Sequence, residues 1–353
     1  MNIWIDLGHI PQHNFYRQFI KILSEEGHRV FVTVLGRGRL PKIVQHDLAG
    51  LPNVTIEIIG RHRMKKWSAI MEVNLIRIPH LYFWSLGKHI DVALSNHHQT
   101  SIIARLLRIP GYAFGDDTQT TLYPVFVRFA TQSHSLIYEE NENSHILPKD
   151  TVLPCLKEWS YLAPKYFEPH IEALDKYGVN PKEYVFLREV SVGTVNYAGQ
   201  ERGAIRNIQH LIPKNKKVLF SLEEKNRRGE YPEDWILLQE PIEDIHSLIY
   251  YSAGLVSSGD SMAREAALLG VPSYYLGVRH SMPANAAASK VANLQNELTM
   301  PFDEWVKTLE CNPKEAEQKQ QELRKYIDSK FIDINEYMLS LVHKVEQEKK
   351  NKN

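Results

Sequence analysis

The stretch GLVSSGDSMAREAALLGVPSYYL, residues 254–276, decides the fold of this chain. Residues 254–256 predict a short buried strand that runs into small and polar residues. Helix formers follow from 262 to 269, Gly270 predicts the end of that helix, and residues 273–276 predict a second strand. Such a unit can hold a phosphate group, because glycine lets the backbone approach closely and the N–H groups at a helix start attract an anion.

Glu265 lies in the first turn of this predicted helix. There it could accept hydrogen bonds from the hydroxyl groups of a sugar. The alternative is that Glu265 only complements the helix dipole, because turns of this kind occur throughout α/β proteins.

Composition narrows the class of protein. A chain of 353 residues predicts two domains. The 42 basic and 42 acidic residues balance, so there is no general attraction for nucleic acid. No apolar run is long enough to span a bilayer. The two cysteines, Cys155 and Cys311, have neither zinc-site spacing nor a disulfide framework, which favours the cytoplasm.

Strand and helix patterns alternate along the chain. The expected strands are 2–7, 29–35, 55–59, 91–94 and 111–114 in the first half, and 184–187, 217–221, 235–238, 255–256 and 274–276 in the second. This alternation predicts two doubly wound parallel sheets with right-handed crossovers. We expect domains at 1–165 and 166–335, with a helix and frayed tail at 336–353. Ligands of such sheets bind at the carboxyl ends of the strands, which places the loops after Leu7, Ser95 and Phe114 at one edge.

Several motifs resemble known families. EPIEDIHSL (240–248) and REAALLGVP (264–272) resemble the donor half of the peptidoglycan N-acetylglucosaminyl transferase, and also UDP-N-acetylglucosamine 2-epimerase. IWIDL (3–7), EGHRV (26–30), GDDT (115–118), EWSYL (158–162) and YVFLR (184–188) resemble a microbial family of unknown function, predicted to consist of GT-B glycosyltransferases. The resemblance implies an α/β GT-B fold, in which two Rossmann-like domains face each other across a cleft.

The resemblance also implies that the second domain binds a nucleotide-diphosphate sugar. Glu265 would hold the ribose hydroxyls, the backbone near Ile242 would meet the base, and Asn285 would contact the donor sugar. The residues placed around the diphosphate are Gly259, Asp260, Ser261, Met262 and Arg264. Asp260 departs from the pattern, since relatives carry glycine there and a carboxylate opposes a diphosphate; it could instead cap the helix that starts at Met262.

Arg188 ends a predicted strand at the same edge of the second sheet. An arginine can bind a phosphate with two hydrogen bonds. The alternative is a surface ion pair with Glu189 or Glu201.

Two loops of the first domain carry candidate catalytic groups. Gly8, His9 and His13 follow the first strand, and either imidazole could be the general base on an acceptor hydroxyl, with His13 preferred, or a structural side chain. Asp116 and Asp117 follow the fifth strand, where they would do acid/base work, contact the acceptor, hold a divalent ion, or cap a helix near Thr118. We favour acceptor contact and expect no metal site.

A basic patch, RHRMKKW, extends from Arg61 to Trp67. It would contact anionic lipid headgroups if the acceptor were lipid-linked. The alternative is a basic loop before a half-buried helix.

The sequence therefore predicts a cytoplasmic GT-B glycosyltransferase without a cofactor, peripheral at the inner face of the membrane when its acceptor is lipid-linked. It would move a sugar from a nucleotide-diphosphate donor to a saccharide or lipid-linked acceptor in cell-surface polysaccharide or glycolipid synthesis. The alternatives are a nucleotide-sugar 2-epimerase, which would also need Glu139 and Glu140, and a non-catalytic nucleotide-sugar-binding protein.

Overall fold

The computed structural model describes residues 1–63, 65–119, 123–192, 199–239, 242, 244–310 and 312–352. Met64, Cys311 and three residues of the EPIEDIHSL motif (Glu240, Pro241 and Glu243) lie outside this set. The chain divides into two compact units, the first formed by Met1–Tyr161 and Phe331–Asn353 and the second by Leu162–Lys330.

The first unit contains a parallel sheet of seven strands in the order β3-β2-β1-β4-β5-β6-β7. Its strands are β1 (Asn2–Leu7), β2 (Arg29–Gly36), β3 (Val54–Arg61), β4 (Val92–Ser95), β5 (Gly111–Gly115), β6 (Gln132–Ser135) and β7 (Asp150–Val152). Its helices are α1 (Ile10–Glu25), α2 (Leu40–Asp47), α3 (Lys66–Met71), a π-helix (Glu72–Arg77), α4 (Ile78–Leu86), α5 (His98–Leu107), α6 (Tyr123–Phe129), α7 (Trp159–Leu162), which runs one residue past the unit boundary, and α14 (Ile334–Lys350). The last helix, α14, packs against α1.

The second unit contains a parallel sheet of six strands in the order β10-β9-β8-β11-β12-β13. Its strands are β8 (Tyr184–Glu189), β9 (Lys217–Leu222), β10 (Ile236–Leu237), β11 (Gly254–Ser257), β12 (Ser273–Tyr275) and β13 (Leu294–Asn296). Its helices are α8 (Ala204–Ile208), α9 (Ile245–Tyr250), α10 (Asp260–Leu268), α11 (Pro283–Ala292), α12 (Phe302–Lys307) and α13 (Pro313–Lys330).

The predicted α/β class with two parallel sheets is confirmed. The central strands are buried apolar runs, as both faces of a parallel sheet are covered. The sequence pattern did not reveal β6, β7 and β13, because QSHS, DTV and LQN are too short and too polar to show a strand period.

Two helices begin earlier than predicted. Helix α1 starts at Ile10 with a proline in its first turn, so His13 lies within the helix rather than in the loop. Helix α10 starts at Asp260 instead of Met262, which places Glu265 in the second turn. Among the described residues, none of the helices is both long and apolar enough to cross a membrane.

Asp150, at the start of β7, makes the first unit sensitive to pH. Its Oδ2 accepts a hydrogen bond of 2.7 Å from the Ser135 hydroxyl, while its buried Oδ1 has no hydrogen-bond partner among the described residues. Burial raises the pKa of the Asp150 carboxyl to about 7. The folded chain therefore binds more protons than the unfolded chain between about pH 4 and pH 7, and the free energy of unfolding decreases as pH rises through this range.

We expect Asp150→Asn to raise the melting temperature at pH 8 and to have little effect at pH 4, where the carboxyl is protonated. Thermal unfolding across this pH range measures the difference. Glu142→Gln, at an exposed position of the same unit, is the control and should leave the profile unchanged. Equal shifts for Asp150→Asn at both pH values would contradict the interpretation.

Candidate functional site

The turn between β11 and α10, residues 257–262, is built by its own serine and glycine residues. The Ser257 hydroxyl donates to the Gly259 carbonyl (2.7 Å) and accepts from the Gly259 N–H (2.9 Å). Gly259 is the extended residue that precedes the first turn of α10. Asp260 is buried, whereas Ser261 and Met262 are half-exposed. The start of α10 thus presents backbone at the carboxyl edge of the second sheet, where a parallel sheet binds ligands.

The Asp260 carboxylate is neutralised from within the protein. Its Oδ1 accepts from the Ser261 N–H (2.8 Å), and its Oδ2 lies 3.1 Å from Arg279 Nη1 and 3.6 Å from Arg264 Nη1. Asp260 therefore binds a backbone N–H of the first helical turn as the first residue of α10, whereas the capping alternative placed it before a helix that starts at Met262. The two guanidinium groups offset the charge of Asp260, which weakens the electrostatic objection to a diphosphate.

Arg264 and Asn285 bind each other in the interior of the second unit. Arg264 Nη1 donates to Asn285 Oδ1 (2.6 Å), and Asn285 Nδ2 donates to the Arg279 carbonyl (2.6 Å). Both side chains are almost completely buried. They hold Arg279 beside Asp260, and their direct contact with a donor stays a prediction.

Glu265 lies next to the segment that carries Ile242. It is buried, and its Oε1 is 3.5 Å from Nε2 of His246 in α9. Ile242, which is half-buried, precedes α9 by three residues, and α9 packs against α10. A carboxylate and an imidazole are therefore close together where α9 and α10 pack, and the contact of the Ile242 backbone with a base stays a prediction.

Arg188 lies at the end of β8, directly beside this turn. Its carbonyl accepts from the Ser258 N–H (2.9 Å), its Nη1 donates to the Ser221 hydroxyl (2.6 Å), and its Nη2 pairs with Glu223. Arg188 thus forms an ion pair with Glu223, a residue that the alternative did not name. A phosphate would have to compete with Glu223 for this guanidinium.

A polar cluster in the first unit is centred on Asp6, a fully buried residue of β1. Arg77 donates to both carboxylate oxygens (2.6 and 3.1 Å), and the Thr33 hydroxyl donates to Oδ1 (2.6 Å). Burial alone would raise the pKa of Asp6, but Arg77 and His97 outweigh it, so the pKa lies well below its ordinary value. Asp6 is therefore a carboxylate at neutral pH.

His97, after β4, connects this cluster to the loop after β1. Its Nδ1 lies 3.2 Å from Asp6 Oδ2, and its Nε2 lies 3.0 Å from the Gln12 amide nitrogen. Gln12 Oε1 accepts from the Gly8 N–H (2.7 Å). Because Asp6 can only accept and the Gln12 amide nitrogen can only donate, His97 carries its proton on Nδ1 and a lone pair on Nε2. A Cβ on Gly8 would lie 2.3 Å from the His97 ring, so only glycine fits there.

The two histidines predicted as general bases, His9 and His13, lie in different parts of the first unit. His9 lies edge-to-face with His97, and burial, followed by the neighbouring His97 and Lys157, lowers the pKa of His9 to about 3. His13 is fully buried, and its Nε2 lies 2.9 Å from Asp47 Oδ2 in α2. His9 is therefore at the carboxyl edge of the sheet, whereas His13 lies inside the unit.

Asp116 and Asp117 do follow β5 at the carboxyl edge. Asp116 Oδ2 accepts from Lys157 Nζ (2.5 Å), and Asp117 Oδ1 accepts from the Gln119 N–H (3.2 Å). Asp117 thus closes a turn, while Asp116 and His9 are close enough to influence each other electrostatically. The structure brings together His9, His97, Asp116 and Lys157.

Sequence reasoning missed Asp6, His97, Lys157, His246 and Arg279. A charged residue inside the apolar run IWIDL was a signal for Asp6, and His97 follows Ser95 in a loop already assigned to the carboxyl edge. Among the described residues, the group with metal-ligand spacing is Glu26, His28 and His343. It lies where α1 ends and β2 begins, at the opposite edge of the sheet.

Comparisons with known proteins agree with this architecture. A model of a protein family of unknown function, DUF354, matches residues 1–114. No curated protein matches the chain.

Three solved structures are similar over nearly the whole chain. UDP-GlcNAc 2-epimerase from Neisseria meningitidis bound to UDP-GlcNAc is 14% identical with a TM-score of 0.63, covering 98% of this chain and 100% of that chain. The spinosyn forosaminyltransferase SpnP is 12% identical with a TM-score of 0.64, and the match covers 97% of this chain and 99% of that chain. The spinosyn rhamnosyltransferase SpnG, complexed with spinosyn aglycone, is 12% identical with a TM-score of 0.63, and the match covers 97% of this chain and 100% of that chain.

At these identities the likeness to solved structures shows the fold. Over residues 1–114 the chain matches the DUF354 family of unknown function, and its two parallel-sheet units have the GT-B fold found in glycosyltransferases and UDP-GlcNAc 2-epimerases.

Proposed function

We propose that this protein is a glycosyltransferase that takes a sugar from a nucleotide-diphosphate donor. The observation that carries the proposal is the start of α10, where exposed backbone and the Arg279–Asp260–Arg264 group lie near Glu265. This arrangement supplies positive charge for a diphosphate and a carboxylate for a ribose in one place.

In the second unit, the start of α10 would bind the diphosphate, which would displace the Asp260 carboxylate from the Ser261 N–H, with Arg279 and Arg188 as the nearby cations. Glu265 would accept hydrogen bonds from the ribose hydroxyls beside His246. As the bond to the sugar breaks, negative charge grows on the diphosphate, and the positive helix start would stabilise that charge.

In the first unit, we propose His97 as the general base in place of His13. His97 is 19% exposed, and its Nδ1–H is held by the Asp6 carboxylate, so that Nε2 points its lone pair away from Asp6. A base oriented in this way by a carboxylate can remove a proton from an acceptor hydroxyl that displaces the Gln12 amide. His9 is a weaker base because its pKa is about 3. Asp116, which is held by Lys157, would contact the acceptor.

The acceptor would be a saccharide or a lipid-linked molecule used in cell-surface polysaccharide or glycolipid synthesis. We propose a cytoplasmic location with peripheral contact at the inner face of the membrane through Arg61 to Trp67. The reaction requires no metal or other cofactor in this scheme, because helix dipole and arginines neutralise the leaving diphosphate.

An assay of donor turnover tests the proposal. The protein is incubated with a panel of UDP- and dTDP-sugars, with and without saccharide or lipid-linked acceptors, and release of nucleoside diphosphate is measured. We expect release that depends on an acceptor.

His97→Gln should lower the rate of nucleoside diphosphate release by about a hundredfold without changing nucleotide affinity. His98→Gln, at the neighbouring position, is the matched control. Full activity of His97→Gln would exclude His97 as base, and absence of nucleotide binding would exclude the whole proposal.

A 2-epimerase is the second candidate, favoured by the likeness to UDP-GlcNAc 2-epimerase structures and by Asp116 and Asp117 at the carboxyl edge. Epimerisation removes a proton beside the anomeric carbon and needs several carboxylates. Incubation of a UDP-sugar alone separates the two functions, because an epimer formed without acceptor would identify the epimerase.

A further inference from the structure

The helical segment after β3 exposes several large apolar side chains. Trp67 is 78% exposed, Leu75 67% and Phe83 69%. With them, the apolar face consists of Trp67, Ile70, Met71, Leu75, Ile76, Phe83 and Leu86, all exposed. These residues recur at helical spacing through α3, the π-helix and α4. Exposed apolar residues scattered singly are ordinary, but seven of them within residues 67–86 indicate a binding surface.

Buried polar anchors hold this face in position. Glu72 accepts from the Arg61 N–H (3.0 Å) and from Arg63 Nε (3.0 Å). Arg77 donates to Asp6 and to the Ile59 carbonyl (3.0 Å). Glu72 and Arg77 are nearly fully buried, as the first and last residues of the π-helix. In the π-helix the charged side chains of Glu72 and Arg77 thus point inward, while Leu75 and Ile76 are exposed; in α4, Leu81 packs into the core and Phe83 is exposed.

Exposed basic side chains lie at the start of the segment that carries the apolar face. Glu72 is the only acidic residue between Arg61 and Leu86, and it is buried. Arg61, His62, Arg63 and Lys65 are exposed at the start of the segment, and His80 is exposed within α4. An apolar surface with exposed basic side chains at its edge complements an anionic bilayer, where acyl chains lie beneath negative headgroups. A protein partner of ordinary composition would not require this combination.

We propose that the apolar face docks on an anionic lipid bilayer, with Trp67, Leu75 and Phe83 entering the acyl region and Arg61 and Lys65 at the headgroups. This inference deepens the proposed function and rests on it in one respect: a lipid-linked acceptor calls for an enzyme at the membrane surface. The docking itself requires no turnover. It extends the contact from the basic patch to the whole segment that ends at Leu86.

Co-sedimentation with vesicles tests the docking. Binding to vesicles of phosphatidylglycerol and phosphatidylcholine is compared with binding to phosphatidylcholine alone. We expect binding only to the anionic vesicles, and weaker binding at high salt. The triple variant Trp67→Ser/Leu75→Ser/Phe83→Ser should lose binding, and Arg61→Glu/Lys65→Glu should weaken it by at least about tenfold. The control Leu106→Ser/Leu298→Ser removes two equally exposed leucines elsewhere and should bind normally.

Depth of insertion gives a second readout. Lipids brominated in the acyl chains should quench tryptophan fluorescence, and the quenching should disappear in Trp67→Phe. Equal binding to neutral and anionic vesicles, or unchanged binding of the triple variant, would overturn the proposal. Sedimentation velocity is a further check. A native chain that is a dimer, a triple variant that is a monomer, and no vesicle binding by either would also overturn the proposal, because the apolar face would then join two copies of the chain. Nucleotide affinity of the triple variant, measured without lipid, separates this failure from failure of the proposed function.

Discussion

Replacement of Glu265 by alanine is expected to weaken the binding of a nucleoside diphosphate by about ten- to a hundredfold. A hydrogen bond to a charged group is worth about 1.5–3 kcal/mol, and one carboxylate can accept from both ribose hydroxyls. Glu265 is buried beside His246, in the first turn of α9. Because the carboxylate is buried, water would poorly replace the lost contacts. Isothermal titration with UDP and dTDP measures the change.

A ribose analogue makes this test specific. The native protein should bind UDP more tightly than its 2′,3′-dideoxy analogue, and Glu265→Ala should bind both equally. Glu310→Ala, an exposed glutamate of the same unit, should keep the preference. If the variant weakens UDP and the dideoxy analogue by the same factor, Glu265 acts on the structure of the pocket and not on the ribose.

Replacement of Asp6 by asparagine is expected to lower the free energy of unfolding of the first unit by about 3–5 kcal/mol. This is the cost of leaving one member of a buried ion pair without its counter-ion. Arg77 is almost fully buried and would lose the carboxylate that it binds with two hydrogen bonds. Hydrogen exchange in urea, followed on peptides of β1 to β5, measures this unit separately. The double variant Asp6→Leu/Arg77→Met removes both charges and should be more stable than Asp6→Asn.

The pH dependence gives the sign of this effect. The folded-state pKa of Asp6 lies well below its ordinary value of about 4, so the ion pair contributes its full stability above that pH. This stability is lost as pH falls further and the carboxyl takes up a proton. The difference between native chain and Asp6→Asn should therefore be constant from pH 5 upward and shrink in stronger acid. A difference that grows as pH falls would contradict the assignment.

The two proposed sites differ in how far the sequence could predict them. The start of α10 was predictable because its parts are consecutive: strand, small residues and helix follow one another in residues 254–268. The partners of Asp260 were not, since Arg279 is 19 residues away and reaches it only after β12 and the following loop have formed. The same holds for His97, whose partner Asp6 lies 91 residues earlier.

The helix after β3 illustrates a different gap. A half-buried helix was the alternative to lipid contact there, and the sequence does not say which face of the helix would be buried. The structure decides it through Glu72 and Arg77, whose partners Asp6, Ile59 and Arg61 lie on β1 and β3. Those contacts turn the charged residues inward and leave Trp67, Leu75 and Phe83 exposed.

By itself the sequence determined the alternation of strands and helices, the two parallel sheets and the position of the turn before α10, because each depends on residues close together in the chain. The tertiary structure alone decided that Asp260 is neutralised, that His97 is held by Asp6 while His13 is buried against Asp47, and that α14 returns to the first unit. These features join residues far apart in sequence, and only folding brings their charges and hydrogen-bonding groups within reach of one another.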